Sequence, residues 1–384
     1  MQTAMRTHLQ VRTAWPLIAL RVVSGGCVVE LLVAAIVGGL LRAGLAIPVP
    51  SASVWPSQAV VAHAFLMICG FMGTVIGIER AVAIKARLAF LAPTASALAG
   101  AAMLAGHTSV ASWVAVGAAV AFVAVNVVVV ERQPAPHTAL LLAGALAWLV
   151  GNVLQAVGSQ PAAAVPWWFA FLVMTIAAER LEMTRLMRRR RGAGLLLCVC
   201  LGAMLLGLAL FAVTPMWGGI FYGLSLVGLA TWLVAYDIVR RIVAANGLSR
   251  YMAICLLLGY IWLAISGLAW LATSIGLLGR DIALHALGLG FAFSMVLGHA
   301  PVILPALVRI KLYFGWFFYV PLAVLHVSLA VRLCIGTTAF SSLAVGAAGN
   351  ALAIALFALT MVGSAVAWRL RHSSTNTRSL HARH

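Results

Sequence analysis

Four histidines fall inside long apolar stretches of this 384-residue chain: His63, His285, His299 and His326. An ionisable group is costly in hydrocarbon, and imidazole offers there a proton acceptor near neutral pH and a lone pair for a metal. Position along the runs sorts the four into pairs. His63 lies about six residues from the outer end of the second run and His285 about four from the outer end of the tenth, so both sit within ~6–9 Å of the same boundary. Two imidazoles at one depth can clamp one haem iron. His299 follows His285 on the same helical face but ~21 Å along the axis, too far to share its metal. It lies about ten residues from the inner end of its run, and His326 about twelve from the inner end of the next, which outlines a second, deeper site for a metal or haem. For His299 and His326 the competing reading is structural, each bonded to a backbone carbonyl or polar neighbour.

Carboxylates supply a further candidate. Three runs align without gaps: Phe71 to Arg80, Phe171 to Arg180, and Phe291 to Ala300. In that register Glu79, Glu179 and His299 are equivalent, as are Arg80 and Arg180. The Glu-Arg pairs read either as salt bridges at helix ends or, with His299, as a cluster that handles protons or binds a cation. The alignment places Ala283 opposite His63, so His285 is displaced by two residues, about 200° around a helix. Neighbouring repeat helices looking into one pocket need such opposite faces. Gly70, Gly73, Gly288 and Gly290 leave room either for a flat macrocycle or for close helix packing.

The elements that must carry these residues follow from composition. With 64% hydrophobic and 8% charged residues and a mean hydropathy of +1.10, the chain lacks the polar surface of a soluble domain. Runs of about 20 apolar residues, enough for a helix to cross ~30 Å of hydrocarbon, fill the sequence. Being too long for barrel strands, they predict an all-α polytopic membrane protein of about twelve helices, near residues 15–41, 57–84, 88–106, 110–131, 138–158, 163–187, 192–213, 217–243, 251–275, 281–309, 314–335 and 341–369. The first run is too long for a signal-peptide core and reads as a retained helix. The aligned runs are the second, sixth and tenth, a period of four. They imply one integral membrane domain built of three four-helix units, roughly 1–135, 136–248 and 249–384, about a pseudo-threefold axis.

Charge gives the topology. All but Arg21, Arg42, Arg280 and Arg332 of the 25 basic residues lie at the termini or in loops on one side. Cytoplasmic loops retain Lys and Arg, so both termini are expected in the cytoplasm of a multi-pass inner-membrane protein. The net charge of +18 thus reflects topology and not nucleic-acid binding, which calls for basic residues interleaved with aromatic and polar ones on a soluble face. Asp237 and Glu182 read as rim charges. The six cysteines form no CxxC pattern and read as small buried hydrophobes.

Two segments carry a resemblance: His63-Ala-Phe-Leu-Met-Ile-Cys-Gly-Phe71 with Val75-Ile-Gly77, and His285-Ala-Leu-Gly-Leu-Gly-Phe291 with Met295. They are similar to the histidine-bearing helices 2 and 10 of subunit I of haem-copper oxidases and of the NnrS family of membrane haem proteins linked to nitric oxide metabolism. The resemblance extends over nearly the whole chain. It implies a haem b with His63 and His285 as axial ligands, a role in electron transfer or nitric-oxide-linked redox chemistry, and a redox partner protein or quinol. The chain departs from the oxidases in having no histidine between His137 and His285, where their copper ligands stand, so oxygen reduction of that type is not expected. It also reads His63-Ala64-Phe65 where the NnrS motif has His-Glu-Met. Bis-histidine ligation leaves no open position on iron, so gas chemistry would need the second site, a haem or copper at His299 and His326. A proton-coupled transporter, or a membrane subunit without catalysis, is the alternative from another class.

Overall fold

A computed structural model describes residues 25–50, 53–158, 161–184, 192–336 and 340–381. Arg6, Arg12, Arg21, Arg185, Arg188 to Arg191 and Arg383, all part of the charge argument, lie outside the described residues, as does the start of the first span. Among the described residues there are no strands, and twelve helices are long and apolar enough to cross a membrane. In chain order these are α1 Gly25–Arg42, α2 His63–Ile84, α3 Arg87–Leu104, α4 Thr108–Arg132, α5 Pro136–Ala156, α6 Ala163–Met183, α7 Ala193–Leu210, α8 Pro215–Tyr236, α9 Leu248–Ser274, α10 Arg280–Ala306, α11 Trp316–Ile335 and α12 Ser341–His372. The protein is an all-α polytopic membrane protein.

The side chains are sorted as hydrocarbon demands. Val61, Leu88, Leu195, Val213, Val327 and Leu370 are exposed, whereas Thr74, Ser96, Asn126, Asn152, Ser266 and Ser294 are buried. Lipid supplies no hydrogen bonds, so polar groups turn inward and meet one another.

Two spans differ from expectation at their ends. The eighth stops at Tyr236, because Asp237 is extended (φ −74°, ψ 150°) and only a short turn, Val239–Ile242, follows. The second begins at His63, separated from the short helix Trp55–Val61 by Ala62, whose backbone leaves the helical region.

The chain packs as two compact units. One comprises Ala46–Val129, Trp148–Trp168 and the described residues up to Arg42; the other holds Ala43–Leu45, Val130–Ala147 and the described residues from Phe169 onward. In the first, Asn152 accepts from the Cys69 thiol at 3.2 Å and donates to the Ala115 carbonyl at 3.4 Å. Trp148 stands edge-on to Phe122 and fills the space beside Gly73. In the second, α8 and α9 cross at Gly223 and Gly267, where a Cβ on either would meet the other's carbonyl oxygen at 2.7 and 2.6 Å. Small residues permit such backbone contact, and dispersion across it holds helices together in lipid.

Two helices leave regular α geometry at one aligned position, and a third carries a proline there. α2 is π-helical over Leu66–Met72 and α10 over Ala286–Phe293. With Phe71 set on Phe291, Leu66 falls on Ala286, so both segments start at the same place. The sixth helix has Pro166 there, which removes a backbone hydrogen bond by another route.

Gly267→Val places two methyl groups against the Gly223 carbonyl and Val227, and overpacking of this kind costs about 1–3 kcal/mol. Gly117 has nothing within 4 Å of an added Cβ. Thermal unfolding in detergent is expected to fall for Gly267→Val and to stay unchanged for Gly117→Val.

Candidate functional site

His63 opens α2 and its ring lies against α1. Its Nδ1 is 2.7 Å from the Ala35 carbonyl oxygen, and a Cβ on Gly39 would stand 2.8 Å from its Cε1. A carbonyl only accepts, so Nδ1 carries the proton and the ring's lone pair is on Nε2. Gly39 is what allows α1 to approach the ring this closely.

His285, in the second unit, is held the same way. Its Nδ1 lies 3.0 Å from both the Asp281 carbonyl oxygen and Asp281 Oδ1, two acceptors one turn back. Arg332 of α11 donates to the same Oδ1 at 3.3 Å, so an imidazole and a guanidinium converge on one carboxylate. The Arg332 side chain is buried, and Gly346 of α12 makes room for it. The ring of His285 is thereby fixed from α10 and α11 with its lone pair on Nε2. His285 immediately precedes a π-helical segment and His63 stands three residues before another, a departure that recurs at functional sites because it re-aims neighbouring side chains.

The deeper histidines are engaged differently. His299 donates from Nδ1 to the Met295 carbonyl at 2.8 Å, and its Nε2 accepts from Arg180 Nη2 at 2.7 Å. Arg180, read with Glu179 either as a helix-end salt bridge or as part of a cluster with His299, is buried and reaches His299. His326 accepts from Trp262 Nε1 on its Nδ1 at 2.8 Å, so its proton is on Nε2, facing Ser294 Oγ at 3.4 Å. Trp262 also stacks on it, with rings 6.4 Å apart and 11° from parallel. Both lone pairs are therefore occupied by protein donors. His326 meets α10 at Ser294, five residues before His299, or ~7.5 Å along the axis. This geometry argues against a metal held by the two together, despite their matched distance from the helix ends. Among the described residues no group of three or more His, Cys, Asp or Glu is placed to hold a metal ion.

The carboxylates divide likewise. Glu79 and Arg80 approach at 3.9 Å with partial exposure, the geometry of a weak interfacial pair. Glu179 is half-buried on α6, one residue before the buried Arg180. Asp237, expected as a rim charge, is buried and accepts a hydrogen bond from Tyr260. Arg180 also acts electrostatically on that hydroxyl. Arg180, His299, Asp237 and Tyr260 thus form a buried polar cluster on α6, α9, α10 and the end of α8.

Of the four glycines read as room for a macrocycle or for helix packing, two are filled by protein: a Cβ on Gly73 would meet Trp148 and Ser96 at 2.7 and 2.8 Å, and one on Gly290 would meet Trp262 closer still. At Gly70 and Gly288 an added Cβ would make ordinary contacts, with Gly100 and Leu31 and with Phe169.

A family model described as "Domain of unknown function (DUF8744)" matches residues 21–366. The chain belongs to that family. The match takes in every residue of the two histidine anchors and of the buried cluster. Comparisons with curated proteins and with solved structures return no match.

Within this DUF8744 chain, sequence reasoning missed three participants. Asp281 was visible four residues before His285, one helical turn, and that spacing was the signal for the pair. Arg332 carried a weaker signal as a lone intramembrane cation. Nothing local marked Tyr260 as the partner of Asp237.

His299→Ala removes the acceptor of a buried guanidinium, a loss of about 1–3 kcal/mol. His299→Gln keeps a carbonyl for Arg180 and is expected to recover part of it. Thermal unfolding of both variants in detergent measures the difference; equal Tm values for wild type and His299→Ala would show that Arg180 does not depend on this ring.

Proposed function

We propose that the protein is a haem-b-binding protein of the cytoplasmic membrane, with His63 and His285 as imidazole ligands to iron and with electron transfer or nitric-oxide-linked redox chemistry as its role. The observation that carries this reading is the shared anchoring of the two rings. Each gives its Nδ1 proton to an acceptor, the Ala35 carbonyl for His63 and Asp281 for His285, and each lies within one turn of the start of a π-helical segment. A ligating histidine is typically oriented in this way, because a bond at one nitrogen fixes the ring and raises the basicity of the other. The donor set fits iron ligation through Nε2.

Bound haem supplies one-electron redox chemistry. The protein's part is to hold and tune. Asp281 draws the His285 proton toward itself and strengthens that imidazole as a donor, while Arg332 offsets the carboxylate charge that α10 carries into the membrane. The natural partner is another electron carrier, a protein or a quinol. The one-sided distribution of Lys and Arg supports cytoplasmic termini.

The test is a reduced-minus-oxidised optical spectrum of the detergent-purified full-length chain. His63→Ala and His285→Ala are expected to abolish or convert the low-spin haem bands, with His299→Ala leaving them intact. Asp281→Asn is expected to loosen haem binding by about 10–100-fold and to move the midpoint potential upward, since a less basic imidazole favours the reduced iron. A folded, monodisperse protein with no haem band after expression with haem supplied would refute the reading.

The buried cluster favours a second reading, a proton-coupled transporter. Ionisable residues inside a membrane mark proton and ion pathways, and Arg180, His299, Asp237 and Tyr260 bring four such groups together. Vesicles containing the protein and a pH-sensitive dye test it. A proton flux under an imposed gradient, lost in Asp237→Asn, supports this reading; no flux from folded protein counts against it.

A further inference from the structure

Where α10 ends, the chain turns through Arg309, whose left-handed backbone (φ 56°) breaks the helix, and crosses to α11 over the segment Arg309–Gly315. This crossing is pinned to the last helix. The Tyr313 amide donates to the Ser364 carbonyl at 3.2 Å, and Ser364 Oγ donates back to the Tyr313 carbonyl at 2.7 Å. Behind it lies a cavity of about 310 Å³, walled by Pro301 and Pro305 of α10, by Phe314 and Phe318, and by Lys311 and Trp368 at its polar side. Lys311 Nζ stands 5.1 Å over the Trp368 ring, and the Arg371 guanidinium lies 3.9 Å over Tyr313. Lys311 and Trp368 therefore give this apolar cavity a cation and an aromatic ring, and the Arg371–Tyr313 pair stands on the adjoining residues.

The local sequence offers Lys311 no acidic neighbour, since no Asp or Glu lies between Arg309 and Arg371. Among the described residues no carboxylate pairs with Lys311. Trp368, Tyr313 and the exposed Trp316 are residues that settle at headgroup level. Basic pockets between membrane helices at that level are suited to anionic lipid headgroups.

We propose that this cavity binds an anionic phospholipid, its headgroup phosphate at Lys311 and its acyl chains leaving along the apolar wall toward the bilayer. The volume accommodates a glycerophosphate headgroup and not a whole two-chain lipid, so the chains must extend beyond it. The Trp368 face keeps the Lys311 ammonium at the mouth without neutralising it, which leaves the phosphate to do so.

The experiment uses the full-length protein in detergent, with native mass spectrometry and thermal unfolding in the presence of phosphatidylglycerol, phosphatidylcholine or inorganic phosphate at equal concentration. Retention of phosphatidylglycerol over phosphatidylcholine is expected, with a rise in Tm that phosphatidylcholine and inorganic phosphate do not reproduce. Lys311→Gln is expected to lower the preference about fivefold, the weight of one basic residue near an anionic surface. Lys311→Arg should preserve it, which separates loss of charge from misfolding, and Arg132→Gln on another loop should leave it unchanged. Equal retention of the two lipids would overturn the proposal. So would an unchanged preference in folded Lys311→Gln, or stabilisation by inorganic phosphate equal to that by phosphatidylglycerol, which would make this a site for a free anion.

Discussion

Hydrocarbon accepts no hydrogen bonds and donates none, and the rest of this structure is arranged around that fact. A helix satisfies its own backbone, so twelve spans can stand in lipid with aliphatic side chains outward. Every departure from the helix then needs a local remedy. At the π-helical segment of α2 the Cys69 carbonyl accepts from Ser96 of α3 at 2.5 Å. Beside that of α10, the Ala283 carbonyl accepts from Ser266 of α9 at 2.8 Å, and Ser294 closes the segment by donating to Gly290 at 2.5 Å. Serine serves because its hydroxyl is short enough to lie between helices that approach at glycine.

The same constraint governs the charges. Three arginines inside spans are handled in three ways: Arg180 against the lone pair of His299, Arg332 against the Asp281 carboxylate, and Arg280 against the faces of Phe211 and Trp270 at 5.6 and 5.1 Å. These choices divide the histidines into two kinds. His299 and His326 spend their lone pairs on protein donors and so cross-link helices. His63 and His285 each donate a proton to a protein acceptor, which fixes the ring. The haem reading rests on that anchoring, and depth in the bilayer alone does not supply it.

Much of the fold was legible because the signal is long. A run of some twenty apolar residues is hard to mistake, and most span ends among the described residues fall within a few residues of expectation. The exceptions are instructive. The eighth span was expected to reach residue 243, since Ile238, Val239 and Ile242 continue the apolar run, but the chain turns at Asp237 to bring its carboxylate to Tyr260. That partner is 23 residues away, and hydropathy carries no trace of it. The π-helical segments were equally hidden, because one extra residue in a helical turn leaves an apolar sequence looking the same. For His326 the sequence left two readings open, a metal ligand or a ring bonded to polar neighbours, and the neighbours found are Trp262 and Ser294. Counting residues from helix ends gives depth but not azimuth, and it is azimuth that turned this ring to Trp262 and Ser294 instead of to His299. Of the site, the identity of the four histidines was readable and their partners were not, apart from Asp281 one turn before His285.

Asp281 also shows how sequence composition constrains chemistry at a distance. It is the only acidic residue after Asp237, and it lies at the start of a spanning helix, where α11 brings Arg332 to it. The fold commits that carboxylate to His285 and Arg332. Lys311, beyond the end of α10, has an aromatic face beside it instead of an acid. A ring holds an ammonium without cancelling its charge, and tryptophan and lysine are side chains that settle at headgroup level. A carboxylate added near Lys311 would shift that balance inward, and the arrangement seen here, with a ring in place of an acid, keeps this cation available to the lipid phase.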